Sequence, residues 1–136
     1  MSHQENDNLS DDPSGLCFRP ATELAALVAR REISAVELLQ AHLDQVATTN
    51  PALNAIVTLV PEHARQLAEA VDQQLARGES PGALAGLPTA HKDLHSTRGI
   101  RTTMGSPIFA NHVPDINALI VDRMVNAGAV TIGKTN

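Results

Sequence analysis

"SAVELLQAHLDQVATTNPALNAIVTLV", residues 34–60, sets two kinds of periodicity side by side. Ser34 and Glu37 fit the S-x-x-E capping box, in which each side chain satisfies an amide that the first helical turn leaves unpaired. Val36, Leu39, Leu43 and Val46 then recur at helical spacing as an apolar stripe. Asn50 and Pro51 mark the expected end of that helix, because proline cannot donate to the helical ladder. Residues 53–60, "LNAIVTLV", change character: short, β-branched and apolar on both faces, the pattern of a strand covered on both sides. A helix running into a covered strand is the building unit of an α/β layered fold.

The pattern repeats outward from this stretch. Upstream, a short helix starts near Thr22, with Leu24, Leu27 and Val28 on one face and Arg30 and Arg31 at its negative C-terminal end. Downstream, Pro61 suits the first position of a helix. Its stripe is Ala64, Leu67, Ala68, Val71 and Leu75, and Gly78 suits the position just past its end. A strand is expected over about 87–94, followed by an irregular stretch to about 114 with a short strand near 101–103. Asp115 or Asn117 would cap a further helix, with Ile116, Ile120, Met124 and Ala127 on one side and Gly128 after it. "AVTIG", residues 129–133, reads as another covered strand. Placed last, it is expected to lack a neighbour and to leave an open apolar edge in a marginally stable chain.

Composition narrows the function classes. The chain has 136 residues, a net charge of −5, two phenylalanines and no tryptophan or tyrosine. One domain is the default at this length. Neither basic patches nor stacking aromatics are available for nucleic acid. Cys17 is the only cysteine, so no intrachain disulfide can form, and a reducing compartment is the simpler reading. The opening residues lack the basic and apolar regions of a signal peptide, and no apolar run approaches the ~20 residues of a membrane span. The expectation is a soluble, cytoplasmic chain with a disordered polar head over 1–19 and a single unit over 20–136.

Two motifs compete for chemistry. "GAVTIGKT", residues 128–135, matches the Walker A pattern letter for letter. A working phosphate loop follows a strand and opens a helix. Here Gly128 follows a helix and the loop positions read as strand, so the match is taken as a decoy. The second motif is "GLPTAHKDLHSTRGIRTTMGSP", residues 86–107, where Lys92 sits in a strand-like run beside Asp93. A lysine acts as a base only when neutral, and burial lowers a lysine pKa by ~3–5 units from its reference value near 10.4. A neighbouring carboxylate opposes this. Asp93 should therefore point away from Lys92, as strand alternation permits, and serve as a structural hydrogen-bonding group. His91, Asp93 and His95 would share the opposite side, but i, i+4 histidines suit a metal on a helix, and Pro88 and Gly99 argue against a helix. No metal and no cofactor are expected. His42 and His63 read as partly exposed helix residues, and Cys17 as inert.

The segment 86–107 resembles the catalytic-lysine segment of the amidase signature family. That segment has the form G-[ILV]-P-x-x-x-K-D, then a glycine, then a T-T-x-G-S-P run. Gly86, Pro88, Lys92, Asp93, Gly99, Thr102, Thr103, Gly105, Ser106 and Pro107 fall on the pattern. "LNAIVTLV" resembles the family's L-N-A strand, and "AGAVTIGKTN" its helix-to-strand turn, so the likeness runs from about Ala21 to Asn136. It implies the N-terminal piece of an α/β/α layered fold with a mixed sheet. It also implies amide-bond hydrolysis by a Ser–cis-Ser–Lys triad with Lys92 as base, acting on a small-molecule amide. Lys134 and Asn136 match the family's K-T-N motif and receive no chemical role.

The family's Gly/Ser-rich loop, which carries both serines, lies beyond that motif. Ser106, the serine nearest Lys92 in sequence, lies in the T-T-x-G-S-P run and lacks the G-x-S-x-G elbow. The expectation is thus an incomplete piece that carries the base without the nucleophile and is inactive alone. Two further readings stay open: the A-type subunit of a tRNA-dependent amidotransferase, and a non-catalytic truncated or binding-only chain. Association into a homo-oligomer also stays open.

Overall fold

Ser34 and Glu37 form the capping box. Glu37 N donates to Ser34 Oγ at 3.0 Å, and Ser34 N donates to Glu37 Oε2 at 2.8 Å. The computed structural model describes residues 13–136. It comprises α1 (Pro13–Leu16), α2 (Ala21–Ala29), α3 (Ala35–Leu53), β1 (Ile56–Leu59), α4 (Pro61–Ala76), β2 (Pro88–Lys92), a 3-10 turn (Pro107–Phe109), α5 (Leu119–Asn126) and β3 (Val130–Thr135). Residues 1–12 of the expected polar head lie outside the described residues. Within the remainder of that span, α1 is helical and packs on α3, with Leu16 against the core. Among the described residues no helix is long and apolar enough to cross a membrane.

A second device finishes the start of α3. Asp72, on α4, accepts from Ala35 N at 2.7 Å and from Val36 N at 3.2 Å. Ser34 and Asp72 together satisfy the first-turn amides, and Asp72 ties two helices in the same contact. Its carboxylate also sits at the positive end of the α3 dipole. Asp72→Ala is expected to cost about 1–3 kcal/mol. A lower urea midpoint at unchanged m-value would report it, and an unchanged midpoint would assign the cap to Ser34 alone.

The expected helix end at Asn50 and Pro51 is corrected. α3 continues through Pro51 to Leu53 and stops at Asn54, which adopts φ 49°. Asn50 instead docks the next element. Its side-chain amide donates to Ile56 O at 3.0 Å and accepts from Ile56 N at 2.9 Å, imitating a strand neighbour. β1 is consequently shorter than residues 53–60. It is half-buried rather than covered on both sides, with Leu59 exposed.

The sheet is mixed, in the order β1-β3-β2, with β1 antiparallel and β2 parallel to β3. The mixed α/β architecture agrees with the fold class read from the sequence. The last strand does not: β3 has a neighbour on each side and is the most buried strand. Its position at the end of the chain says nothing about its position in the sheet. The connection from β2 through α5 returns the chain parallel to β2, and the earlier strand β1 closes the other flank. The core joins Leu24 and Val28 of α2, Ala35, Leu38 and Leu39 of α3, Ala64, Ala68 and Val71 of α4, and Val130 and Ile132 of β3.

Two other expectations change. No strand forms over 101–103; that stretch is loop. α5 begins after Ala118, not at Asp115 or Asn117, and buries Val121, whereas Ile116 and Ile120 are exposed. Asn117 is used differently. Its side-chain oxygen accepts from Arg98 N at 2.6 Å, and its amide donates to Asp122 Oδ1 at 2.8 Å.

Candidate active site

Lys92 is the last residue of β2, and its Cα pairs with that of Thr135. Its side chain is exposed, so the burial expected from a covered strand is absent in this chain. The backbone just after Lys92 is tightly held. Asp93 N donates to Thr135 O at 2.8 Å, which continues the β3 pairing by one residue. The buried Asp93 carboxylate accepts from Thr103 N, at 3.1 Å to each oxygen, and from the Thr103 hydroxyl. Met104 N returns to Asp93 O at 2.9 Å. Asp93 therefore closes the 93–104 loop, and the Thr103 of the T-T-x-G-S-P run is its partner.

Ser106 has a local use in the same run. Its Oγ accepts from Ile108 N at 3.3 Å at the start of the 3-10 turn, a turn role as its sequence setting suggests. Thr102 N, still within the run, donates to His112 O at 2.9 Å and fastens the far side of the loop.

The other face of β2 carries Thr89, half-buried, and His91, buried. Pairing slips between Thr89 and Ala90, which face Thr131 and Gly133, so Ile132 is an extra residue in β3. Such a bulge interrupts the two-residue alternation. It brings both Thr131 and Lys134 to His91. His91 Nε2 lies 3.1 Å from Thr131 Oγ1, and the Cα of His91 pairs with that of Lys134. Lys134 is fully buried, and its Nζ contacts His95 O, Thr97 Oγ1 and Thr102 Oγ1. No phosphate-binding loop exists at "GAVTIGKT": Gly128 follows α5, and residues 130–135 are strand. His91, Asp93 and His95 do not converge, since the first two have the partners named above and His95 is exposed.

Burial, then the nearby Lys134 charge, then His95 push the His91 pKa below its ordinary 6.5. The fold thus favours neutral His91. This contribution is complete above about pH 6.5 and is lost as pH falls through the lower folded value. The melting temperature is expected to drop between about pH 7 and pH 5 more steeply in the natural chain than in His91→Gln. Parallel curves would show that His91 is not the group responsible.

Cys17 is half-buried, and its thiol donates to Ala41 O at 3.4 Å. Burial, followed by the Asp44 carboxylate, raises its pKa. His42 Nδ1 contacts Leu38 O at 2.9 Å within α3, and His63 is exposed.

Sequence reading missed the loop ties around Lys134. The available signal was the residue itself, a cation inside a strand read as covered, which requires buried partners.

Known proteins share this fold. A sequence model of the Amidase family matches residues 37–136. The A-type subunit of the glutamyl-tRNA(Gln) amidotransferase of Acidothermus cellulolyticus is 46% identical over 90% of this chain, which covers 24% of that protein. The structure of the native peptide amidase from Stenotrophomonas maltophilia superposes with a TM-score of 0.82 at 32% identity, over 91% of this chain and 26% of that one. A bacterial aryl acylamidase of the amidase signature family gives a TM-score of 0.82 at 28% identity, over 88% and 25% respectively. The chain spans about a quarter of the length of the curated relatives it matches. With the family's K-D, T-T-x-G-S-P and K-T-N motifs on one sheet end and its adjoining loop, the chain belongs to the amidase signature family.

Proposed function

We propose that this segment supplies the general base of an enzyme that cleaves carboxamide C–N bonds, and that Lys92 is that base. The observation that supports this most directly is the placement of Lys92. It ends a strand that runs parallel to its neighbour, and the backbone after it is tied by Asp93; as a base it requires the rest of the enzyme to cover the side chain, which is exposed in this segment. Open α/β sheets gather their reactive groups at the carboxyl ends of such strands.

In the reaction, the Lys92 amine takes a proton from a bridging serine, which takes the proton of a nucleophilic serine. The nucleophile's oxygen attacks the amide carbon. The C–N bond then breaks, the nitrogen leaves with a proton returned along the same path, and water releases the acyl group as an acid. Backbone amides would stabilise the oxyanion. The family resemblance places both serines in the loop that follows the K-T-N motif, which here is residues 134–136. The 136-residue chain itself is therefore expected to release no ammonia from simple aliphatic or aromatic amides faster than buffer does.

A second reading uses the same bond cleavage to pass nitrogen to another substrate, with this segment in the A-type subunit of a tRNA-dependent amidotransferase. It is favoured by the 46% identity to such a protein, against 32% and 28% for the two solved amidases. Ammonia release by a family member containing this segment and the serine loop decides between them. Turnover by the isolated protein supports the hydrolase, and turnover only with partner subunits supports the transferase. No turnover in either setting, with the protein folded, overturns both and favours a binding role.

A further inference from the structure

Lys134 heads the fully buried side chains by size, with 0% of its surface exposed. Its Nζ lies 2.5 Å from His95 O, 2.8 Å from Thr97 Oγ1 and 2.9 Å from Thr102 Oγ1. The two hydroxyl protons are already engaged. Thr97 Oγ1 donates to His95 O at 3.1 Å, and Thr102 Oγ1 donates to Ile100 O at 3.1 Å. Both hydroxyl oxygens thus face Nζ as acceptors, and a carbonyl oxygen can only accept. Three acceptors around one nitrogen require three N–H bonds. An ammonium has three. A neutral amine has two and would aim its lone pair at the third oxygen.

We propose that Lys134 is a positioning residue: a buried ammonium that clips the 95–102 loop to the end of β3 and thereby fixes the chain that follows Lys92. The clip stands on geometry alone; its meaning for catalysis rests on the proposed role of Lys92. Asp93 fastens the outer ends of the same loop through Thr135 and Thr103, and Lys134 fastens its interior. Among the charged and titratable neighbours, Asp93 favours the ammonium. His91 on β2 stays neutral beside it, with His95 also nearby. Burial pushes the Lys134 pKa below the ordinary lysine range, and the Asp93 carboxylate opposes that push. The loop's three oxygens replace the water that the cation has lost.

The test is NMR of the ¹⁵N-labelled 136-residue chain near pH 7. Proton-coupled ¹⁵Nζ of Lys134 is expected as a slowly exchanging quartet, the signature of NH₃⁺. A triplet, or exchange as fast as that of exposed lysines, overturns the proposal. Lys134→Met keeps length and removes charge. It is expected to shift the His91 titration midpoint upward, an effect that packing alone would not produce. The amides of Gly99, Ile100 and Thr102 should exchange faster by about tenfold or more, as lost bonds to a charged donor imply. An unchanged His91 midpoint in a folded variant also overturns the proposal. If Lys134→Met does not fold, the multiplicity in the natural chain decides. None of these readouts needs turnover, so failure of the Lys92 reading and failure of the clip are separable.

Discussion

Arginine in place of Lys92 is expected to reduce kcat by about 10²–10⁴-fold in a family member that carries this segment together with its serines, and alanine by as much. The loss should fall on kcat far more than on KM, because proton transfer acts at the transition state. Arginine is the informative substitution. It keeps a positive charge and a long stem, but its guanidinium stays protonated at any workable pH and accepts no proton from serine. If Lys92 were a solvated charge or an ion-pair partner, arginine would preserve most of the activity. Stability should not confuse the result on this side of the site, since the Lys92 side chain is exposed and β2 is held by backbone bonds to β3. The measurement is kcat and KM for ammonia release, with matched melting curves. Near-normal kcat in Lys92→Arg returns Lys92 to a structural role.

Legibility in the sequence depended on the range of the interaction concerned. Ser34 and Glu37, Pro61 at the start of α4, and Gly78 after its end are settled by neighbours within one turn, and each behaves as its local chemistry demands. The structural hydrogen-bonding use of Asp93 was also legible, because strand alternation turns it away from Lys92, whereas the burial expected of Lys92 was not met. The features that went unread involve residues distant along the chain. The cap that Asp72 places on α3 joins positions 36 and 37 residues apart. The partners of Lys134 lie 32 to 39 residues upstream. Strand order is the clearest case. Sequence order suggested an edge for β3, whereas the sheet inserts it between β1 and β2, where its uninterrupted run of buried residues belongs. That run, "VTIGK", already carried the information: a strand buried over these residues needs neighbours on both sides, and its lysine needs oxygens.

Gly133→Ala is expected to be among the most damaging single substitutions in the chain, costing about 3 kcal/mol or more. The cause is steric rather than conformational. A Cβ at residue 133 would fall onto Thr58 O and lie 3.1 Å from both Thr58 C and Ile56 Cγ2. The first two atoms are backbone of β1, which pairs with β3 with a register shift between Ile56 and Thr58, so they yield only by opening the sheet. Gly133 is also the residue after the bulge at Ile132 and before Lys134. Displacing it moves the strand that presents the ammonium to the loop. Gly78→Ala is the fitting comparison. Gly78 has φ +75° and nothing within 4 Å of the position a methyl group would take, so it carries only the left-handed backbone cost of about 1–2 kcal/mol. Urea melts of the two variants should differ by roughly the steric excess, and amide exchange at Ile100 and Thr102 should quicken only in Gly133→Ala. Equal melts would show that β1 does not approach β3 closely enough to require glycine. The sheet would then tolerate a side chain between Ile132, which packs in the core, and Lys134, which holds the Lys92 loop.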